Sequence, residues 1–320
     1  MNLMKFQLKI KISAAYLNLL ASQRLLISQQ KNLDRAEVFL TTAAARVKNG
    51  LQAGVDSTLA TAEVSKARIA LNLARNLVNE QNNKLVDLMG VASQDFVADT
   101  LFVGQIPKHF LVDYNSENGQ HPMLRYFQSK VDYSEQQVKL SKRFYYPSMS
   151  LFGVLQSRAS GFSTNYSVDQ TAFSRNYWDG INPNRTNFLI GAGISWNLTT
   201  PFRMKKQVSA QKLISQGVQE EYNQVDREIK SQLSLADEKI KIALANYAEA
   251  PTQVSAASQA YLQKMTLYKN GLTNLTDLTQ TMYILNRAEI DRDIVNSNVW
   301  QSFLIKVAAT GDFELFINEF

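Results

Sequence analysis

The sequence has no cysteine, which excludes disulfides and thiolate metal sites. It has two histidines, His109 and His121, at no spacing that would serve a metal or acid–base chemistry. They read as surface or capping residues. Only six prolines and thirteen glycines punctuate 320 residues, so a few long elements are expected rather than many short ones. No run of 18 apolar residues occurs, which excludes a membrane-spanning helix. The net charge of +6 is spread over interspersed basic and acidic residues, with no dense basic patch interleaved with aromatics, so no nucleic-acid partner is expected. Glu220-Glu221 and Asp237-Glu238 read as solvated helix faces, and no glycine loop could cradle phosphate. No catalytic constellation remains, and the sequence points to neither an enzyme nor a cofactor.

What is present is a stretch that occurs twice. Residues 48–58, KNGLQAGVDST, return as residues 269–279, KNGLTNLTDLT, at an offset of 221. The alignment continues without a gap from 48–90 to 269–311, pairing Ala67 with Ala288, Ile69 with Ile290, Val78 with Val299 and Gly90 with Gly311. Eleven of these 43 positions are identical, where average composition gives roughly two or three. The period is too long for a solenoid and indicates duplication of a large unit.

Around each copy the apolar residues step by three and four, the spacing of a helical seam. Leu8, Ile12, Ala15, Leu19, Ser22, Leu26, Leu33, Ala36, Leu40, Ala43 and Val47 precede the first copy; Val64, Ala67, Leu71, Ala74, Val78, Leu85 and Leu88 follow it. Gly50 is placed to end one helix in the left-handed conformation, and Asp56 or Ser57 to cap the next. Each copy is therefore a long antiparallel helical hairpin with the repeated motif at its tip. The expected organisation is a first hairpin over 1–90, a linker over 91–120 and a helix over 121–146. A β-hairpin follows over 147–199 with a polar loop at 159–184. A second helical hairpin over 200–311 and a tail over 312–320 complete it. Thr199-Thr200-Pro201 starts the long helix towards Tyr268, and Pro251 should kink or interrupt it.

Between the helices the period becomes two. Phe188, Ile190, Ala192, Ile194, Trp196 and Leu198 alternate with mostly small or polar residues. A membrane-barrel strand has this pattern, with one face to lipid and one to the lumen. On alternation alone, a half-buried strand of a soluble sheet is the commoner source of this pattern.

The combination of duplicated long helical hairpins with an inserted β-hairpin resembles the outer-membrane efflux protein (TolC-like) family over nearly the whole chain. Its tip pattern, an arginine and an aromatic before a glycine with an aspartate six residues on, is similar to Arg46-Val47-Lys48-Asn49-Gly50 with Asp56, and to Tyr268-Lys269-Asn270-Gly271 with Asp277. Val47 stands where an aromatic is usual. His121-Pro122 is similar to the start of the family's upward helix, and Leu198-Thr199-Thr200-Pro201-Phe202 to its exit from the barrel.

The resemblance implies a mainly α fold, in which coiled-coil hairpins build an α-barrel and strands join a shared membrane β-barrel. It implies a homotrimer in the outer membrane with a periplasmic extension, partnered by a periplasmic adaptor and an inner-membrane pump and exporting small molecules passively. It implies a periplasmic gate of Asp56, Tyr268, Asp277, Thr273 and Gln280, with Asp56 bonded to Tyr268 as a closing contact. Thr273 and Gln280 replace an arginine and a second acid of the family pattern. Asp56 and Asp277 could equally serve as helix caps. It also implies an adaptor-contacting tip of Arg46, Gly50, Leu51, Gly271 and Leu272. The family carries two β-hairpins per protomer and this chain only the second, so the sequence is expected to be a fragment or a truncated form. A soluble periplasmic coiled-coil adaptor is the competing reading, though an adaptor would bring many more short strands.

Overall fold

The computed structural model describes residues 2–50, 53–97, 105–108 and 121–319. In chain order its elements are α1 (Asn2–Lys48), α2 (Gly54–Met89), α3 (Pro122–Arg143), β1 (Ser148–Ala159), α4 (Tyr177–Ile181), β2 (Pro183–Ser195), α5 (Thr200–Lys269), α6 (Leu275–Thr310) and α7 (Glu314–Ile317). They form two compact units, residues 1–128 with 221–320 and residues 129–220.

In the first unit, α1, α2, α5 and α6 share one core. Leu33, Ala36, Phe39 and Ala43 of α1 meet Ala60, Val64, Ala67 and Leu71 of α2. Ala257, Tyr261, Met265 and Tyr268 of α5 and Leu275, Leu278, Met282, Leu285 and Ala288 of α6 complete it. Six of these residues are alanines, which leave little side-chain volume between the helices and allow close packing. Phe39 and Tyr268 are the large, fully buried members.

The duplication is visible in the backbone. The glycines with positive φ among the described residues are Gly50 and Gly90, and their counterparts Gly271 and Gly311 at the same offset. Each follows a helix end, where the left-handed conformation costs glycine least. Ala67 and Ala288, equivalent in sequence, lie in the same core.

A second cluster joins Leu17 and Leu20 of α1 to Trp300, Phe303, Leu304 and Val307 of α6, and Phe316 of α7 closes over it. The stretch expected as a tail is thus docked by an aromatic anchor. The described part of 91–120 contains no helix or strand and is tied down by side chains. Asn82 holds it at both ends of its amide: Nδ2 donates to the Gln94 carbonyl at 2.8 Å, and Oδ1 accepts from the Phe96 N–H at 3.0 Å. Trp300 donates to the Gln105 carbonyl at 3.1 Å. His109 lies outside the described residues. His121 is half-buried and fastens two elements, accepting from the Met123 N–H at Nδ1 and contacting the Ala308 carbonyl through Nε2, both at 3.1 Å.

Local expectations need three corrections here. Neither Asp56 nor Ser57 caps α2, because the helix begins earlier, at Gly54, after an extended Ala53 with no side-chain cap. Pro251 does not interrupt α5. It lies on an exposed face, where water can take up the carbonyl its ring leaves without a donor. Leu8, counted in the α1 seam, is exposed.

In the second unit, β1 and β2 form an antiparallel hairpin that pairs Met149 with Ile194, Leu151 with Ala192, Gly153 with Ile190 and Leu155 with Phe188. The connecting segment is ordered by its own aromatics, with Phe162 packed on Tyr166 at 4.5 Å between ring centroids and bridged to Phe173. Asn176 caps the short α4.

Candidate functional site

The tips of the two helical hairpins meet at the end of the four-helix core. Residue Gly271 closes α5 in a double-bonded turn: its N–H reaches the Tyr268 carbonyl at 3.0 Å, and the Leu272 N–H reaches the Leu267 carbonyl at 2.9 Å. A helix end still leaves carbonyls without intrahelical partners and carries partial negative charge. Arg46, from the end of α1, answers both needs. Its Nη1 donates to the carbonyls of Tyr268 and Lys269, each at 2.8 Å. Its guanidinium lies 5.2 Å from the centroid of the Tyr268 ring. A Cβ on Gly271 would sit 3.1 Å from Arg46 Nη2, so the glycine also makes room for the guanidinium.

The expected Asp56–Tyr268 hydrogen bond is not formed. The Tyr268 ring points inward, with its centroid 6.2 Å from that of Phe39, and its buried hydroxyl has no hydrogen-bond partner among the described residues. Burial pushes the phenol pKa up, the nearby Asp56 charge adds to this, and Arg46 opposes it. Asp56 itself sits in the first turn of α2, where an acid favours the helix N-terminus.

Asp277 is not a bare acid either. It accepts from Lys264 Nζ at 2.9 Å and from the Thr273 hydroxyl at 3.1 Å, while its N–H donates to the side chain of the N-cap Asn274 at 2.8 Å. The lysine hydrogen bond, then the threonine hydrogen bond, hold its carboxyl below the ordinary range. The cap is Asn274, and Asp277 is the residue it bonds. Gln280 is exposed and lines a groove of about 390 Å³ with Gln29, Asn32, Met282 and Asn286. At the outermost point, Leu272 is exposed beside Gly271, and Gly50 has φ 70°. Leu51 lies outside the described residues.

Sequence reasoning did not single out the ion pairs that tie α1 to its neighbours. Arg35 makes two hydrogen bonds to Glu289, at 2.7 and 3.2 Å, with both side chains largely shielded. Arg68, at the repeat position equivalent to Glu289, pairs with Glu37 at 3.1 Å on the exposed side. Asp293, largely buried, is held by Ser28 and Arg292 at 2.8 Å each. Opposite charges bordering an apolar seam were the available signal, but only the rotation of each helix chooses partners.

The second candidate surface is the β-hairpin. On one face Met149, Leu151, Leu155, Phe188, Ile190 and Ile194 are each 69–87% exposed. Trp196 and Leu198, expected to continue this row, lie beyond the end of β2 at Ser195. There the Asn197 side chain accepts from both the Thr199 N–H and the Thr199 hydroxyl, and this turn ends the extended chain. No described helix is long and apolar enough to cross a membrane.

No protein-family model and no curated protein matches the chain. Solved structures do. The outer-membrane channel OprN superposes with a TM-score of 0.78 at 13% identity, covering 97% of this chain and 67% of that one. VceC, an outer membrane protein of Vibrio cholerae, gives 0.78 at 15% identity, covering 97% and 71%. The Campylobacter jejuni CmeC outer membrane channel gives 0.76 at 14%, covering 98% and 66%. The chain spans about two thirds of the length of these proteins. Mainly helical, with one antiparallel β-hairpin among the described residues, it has the TolC-like fold shared with these outer-membrane proteins.

Proposed function

We propose that this chain is a channel-forming component of a tripartite efflux or secretion system, a passive exit duct for small molecules across the outer membrane. The observation that carries this reading is the exposed apolar row of the β-hairpin. Six large apolar side chains on one face of two strands have no protein to cover them among the described residues. In water such a face would favour aggregation, and in lipid it is the surface a barrel strand needs. A lone hairpin also leaves two unpaired strand edges, which hydrocarbon does not tolerate. Neighbouring copies in a homotrimer would supply the missing strands.

In this reading the helical hairpins extend into the periplasm and their tips form the gate. The closing link is the Arg46 clasp on the end of α5, with the Lys264–Asp277–Thr273 cluster and Gln280 beside it. The exposed Leu272, together with Gly50 and Gly271, offers the surface for a periplasmic adaptor. An inner-membrane pump would supply the energy, since the chain has no nucleotide motif.

Membrane fractionation and planar-bilayer recording test the proposal together. The expected result is a chain that needs detergent for extraction and forms conducting pores, with larger conductance when Arg46 becomes alanine. Full solubility without detergent, and no pores at any protein concentration, would rule it out in favour of a soluble coiled-coil protein.

A further inference from the structure

We propose that Arg158 and Arg185 form an anion-binding pair on the hairpin face opposite the apolar row, taking phosphate- or carboxylate-bearing solutes. The inference rests, for its place in a lumen, on the channel reading above. The strand register places the two arginines directly opposite each other, the last regular pair before the irregularity at Arg158/Ala159. Strand alternation puts Gln156 and Asn187, the next pair on the same face, beside them, and puts Met149, Leu151, Ile190 and Ile194 on the other side.

Like charges directly across a strand pair repel. Hairpins normally avoid this or provide a carboxylate. This one does neither. Among the described residues, neither arginine is ion-paired, and Arg158 Nη2 is held on its face by Gln156 Oε1 at 3.1 Å. The only carboxylates from residue 148 to residue 195 are Asp169 and Asp179. Both are engaged elsewhere: Asp169 accepts from the Thr171 hydroxyl and Asp179 from the Ser174 hydroxyl, each at 2.6 Å. Two planar guanidinium forks with an adjacent pair of side-chain amides suit an oxyanion, which accepts bidentate hydrogen bonds and cancels the repulsion. Contributed by every copy around a pore, the pairs would make a cationic ring near one rim, enriching anions and discouraging cations.

Two measurements on the detergent-solubilised chain decide the matter. The first is calorimetric titration with inorganic phosphate at low ionic strength. Saturable heat in the parent that is lost in R158Q/R185Q supports the pair. No heat in the parent, or equal heat in both, overturns it. The second is the reversal potential across a KCl gradient in planar bilayers. The anion-to-cation permeability ratio should fall by roughly threefold or more in R158Q/R185Q and survive in R158K/R185K, which keeps the charge. An unchanged ratio in conducting R158Q/R185Q pores refutes the cationic ring. If the parent chain forms no pore, the channel reading fails while calorimetry still decides the anion site. Both positions are exposed and removing the repulsion should not harm folding, so the glutamine variants test binding rather than stability.

Discussion

Arg46 and Tyr268 show how a motif residue takes its meaning from where its side chain points. The tip arginine turns across to cap a helix belonging to the other repeat, 222 positions away. Arg46→Ala should cost about 2 kcal/mol in chemical denaturation, the scale of charged hydrogen bonds to partly shielded carbonyls, and Arg46→Lys about half of that because the fork is lost. Tyr268→Phe should leave stability unchanged or raise it by up to about 1 kcal/mol, since the buried hydroxyl it deletes bonds to nothing. A loss above that size would restore the Asp56–Tyr268 bond as the better account. Asp277, held below the ordinary carboxyl range by Lys264 first and Thr273 second, contributes stability above the unfolded carboxyl's pKa. That contribution disappears as pH falls through its lowered folded value. A carboxyl NMR titration should find it in this lowered range, and K264M should move it up towards the ordinary one, with the Thr273 hydrogen bond still holding part of the shift.

At the scale of elements, the repeat has kept its geometry while its ion pairs have diverged. Glu289 and Arg68 occupy equivalent positions on α6 and α2, and each reaches α1. The Arg35–Glu289 pair is 16% and 13% exposed at its side chains, and Arg68–Glu37 63% and 49%. Glu289→Ala should therefore cost about 3 kcal/mol, because it strands a shielded guanidinium, whereas Glu37→Ala should cost under about 1 kcal/mol. Equal costs in denaturant titrations would mean that burial does not set the difference.

His121 plays a similar joining role between the start of α3 and the end of α6. Its pKa lies below 6.5 because burial disfavours the charged ring, an effect only partly offset by the Ala308 carbonyl. Folded rings then bind fewer protons than unfolded ones. The stability they confer is complete above about pH 6.5 and drains away as pH falls through the lowered value. Lys11 and Glu228 line the groove beside the ring. Melting curves from pH 7 to pH 5 should show this loss in the parent and a flatter profile in His121→Gln.

For the whole molecule, the two units pose different solvent problems. The helical unit builds its core from a narrow seam and a terminal aromatic cluster. The hairpin unit presents its largest apolar side chains outward. If that face meets lipid, Leu151→Arg or Ile190→Arg should each oppose insertion by about 2–4 kcal/mol, the range for a basic side chain at mid-bilayer. Both variants should shift the chain towards the detergent-free fraction. Retention of both in the membrane at parental levels would mean that the row faces protein instead.

Much of this architecture follows from short-range order. Helical hairpins, tip glycines and the duplication depend on periods of three to four residues and on turns closed within six, so neighbouring letters encode them. The same holds for the strand pair, whose alternation predicted the exposed face from Phe188 to Ile194 but not its end, because the Asn197 turn cut it short of Trp196. Side-chain partnerships across helices are another matter. Whether Tyr268 faces Asp56 or Phe39, whether Asp277 stands alone or against Lys264, and which carbonyls Arg46 reaches depend on helix rotation and axial register. Core packing sets those quantities between segments far apart in the chain, and a shift of one residue changes every partner. Periodicity thus specified the scaffold, while the contacts that join its tips exist only once four helices have packed around Ala36, Phe39, Ala67 and Ala288.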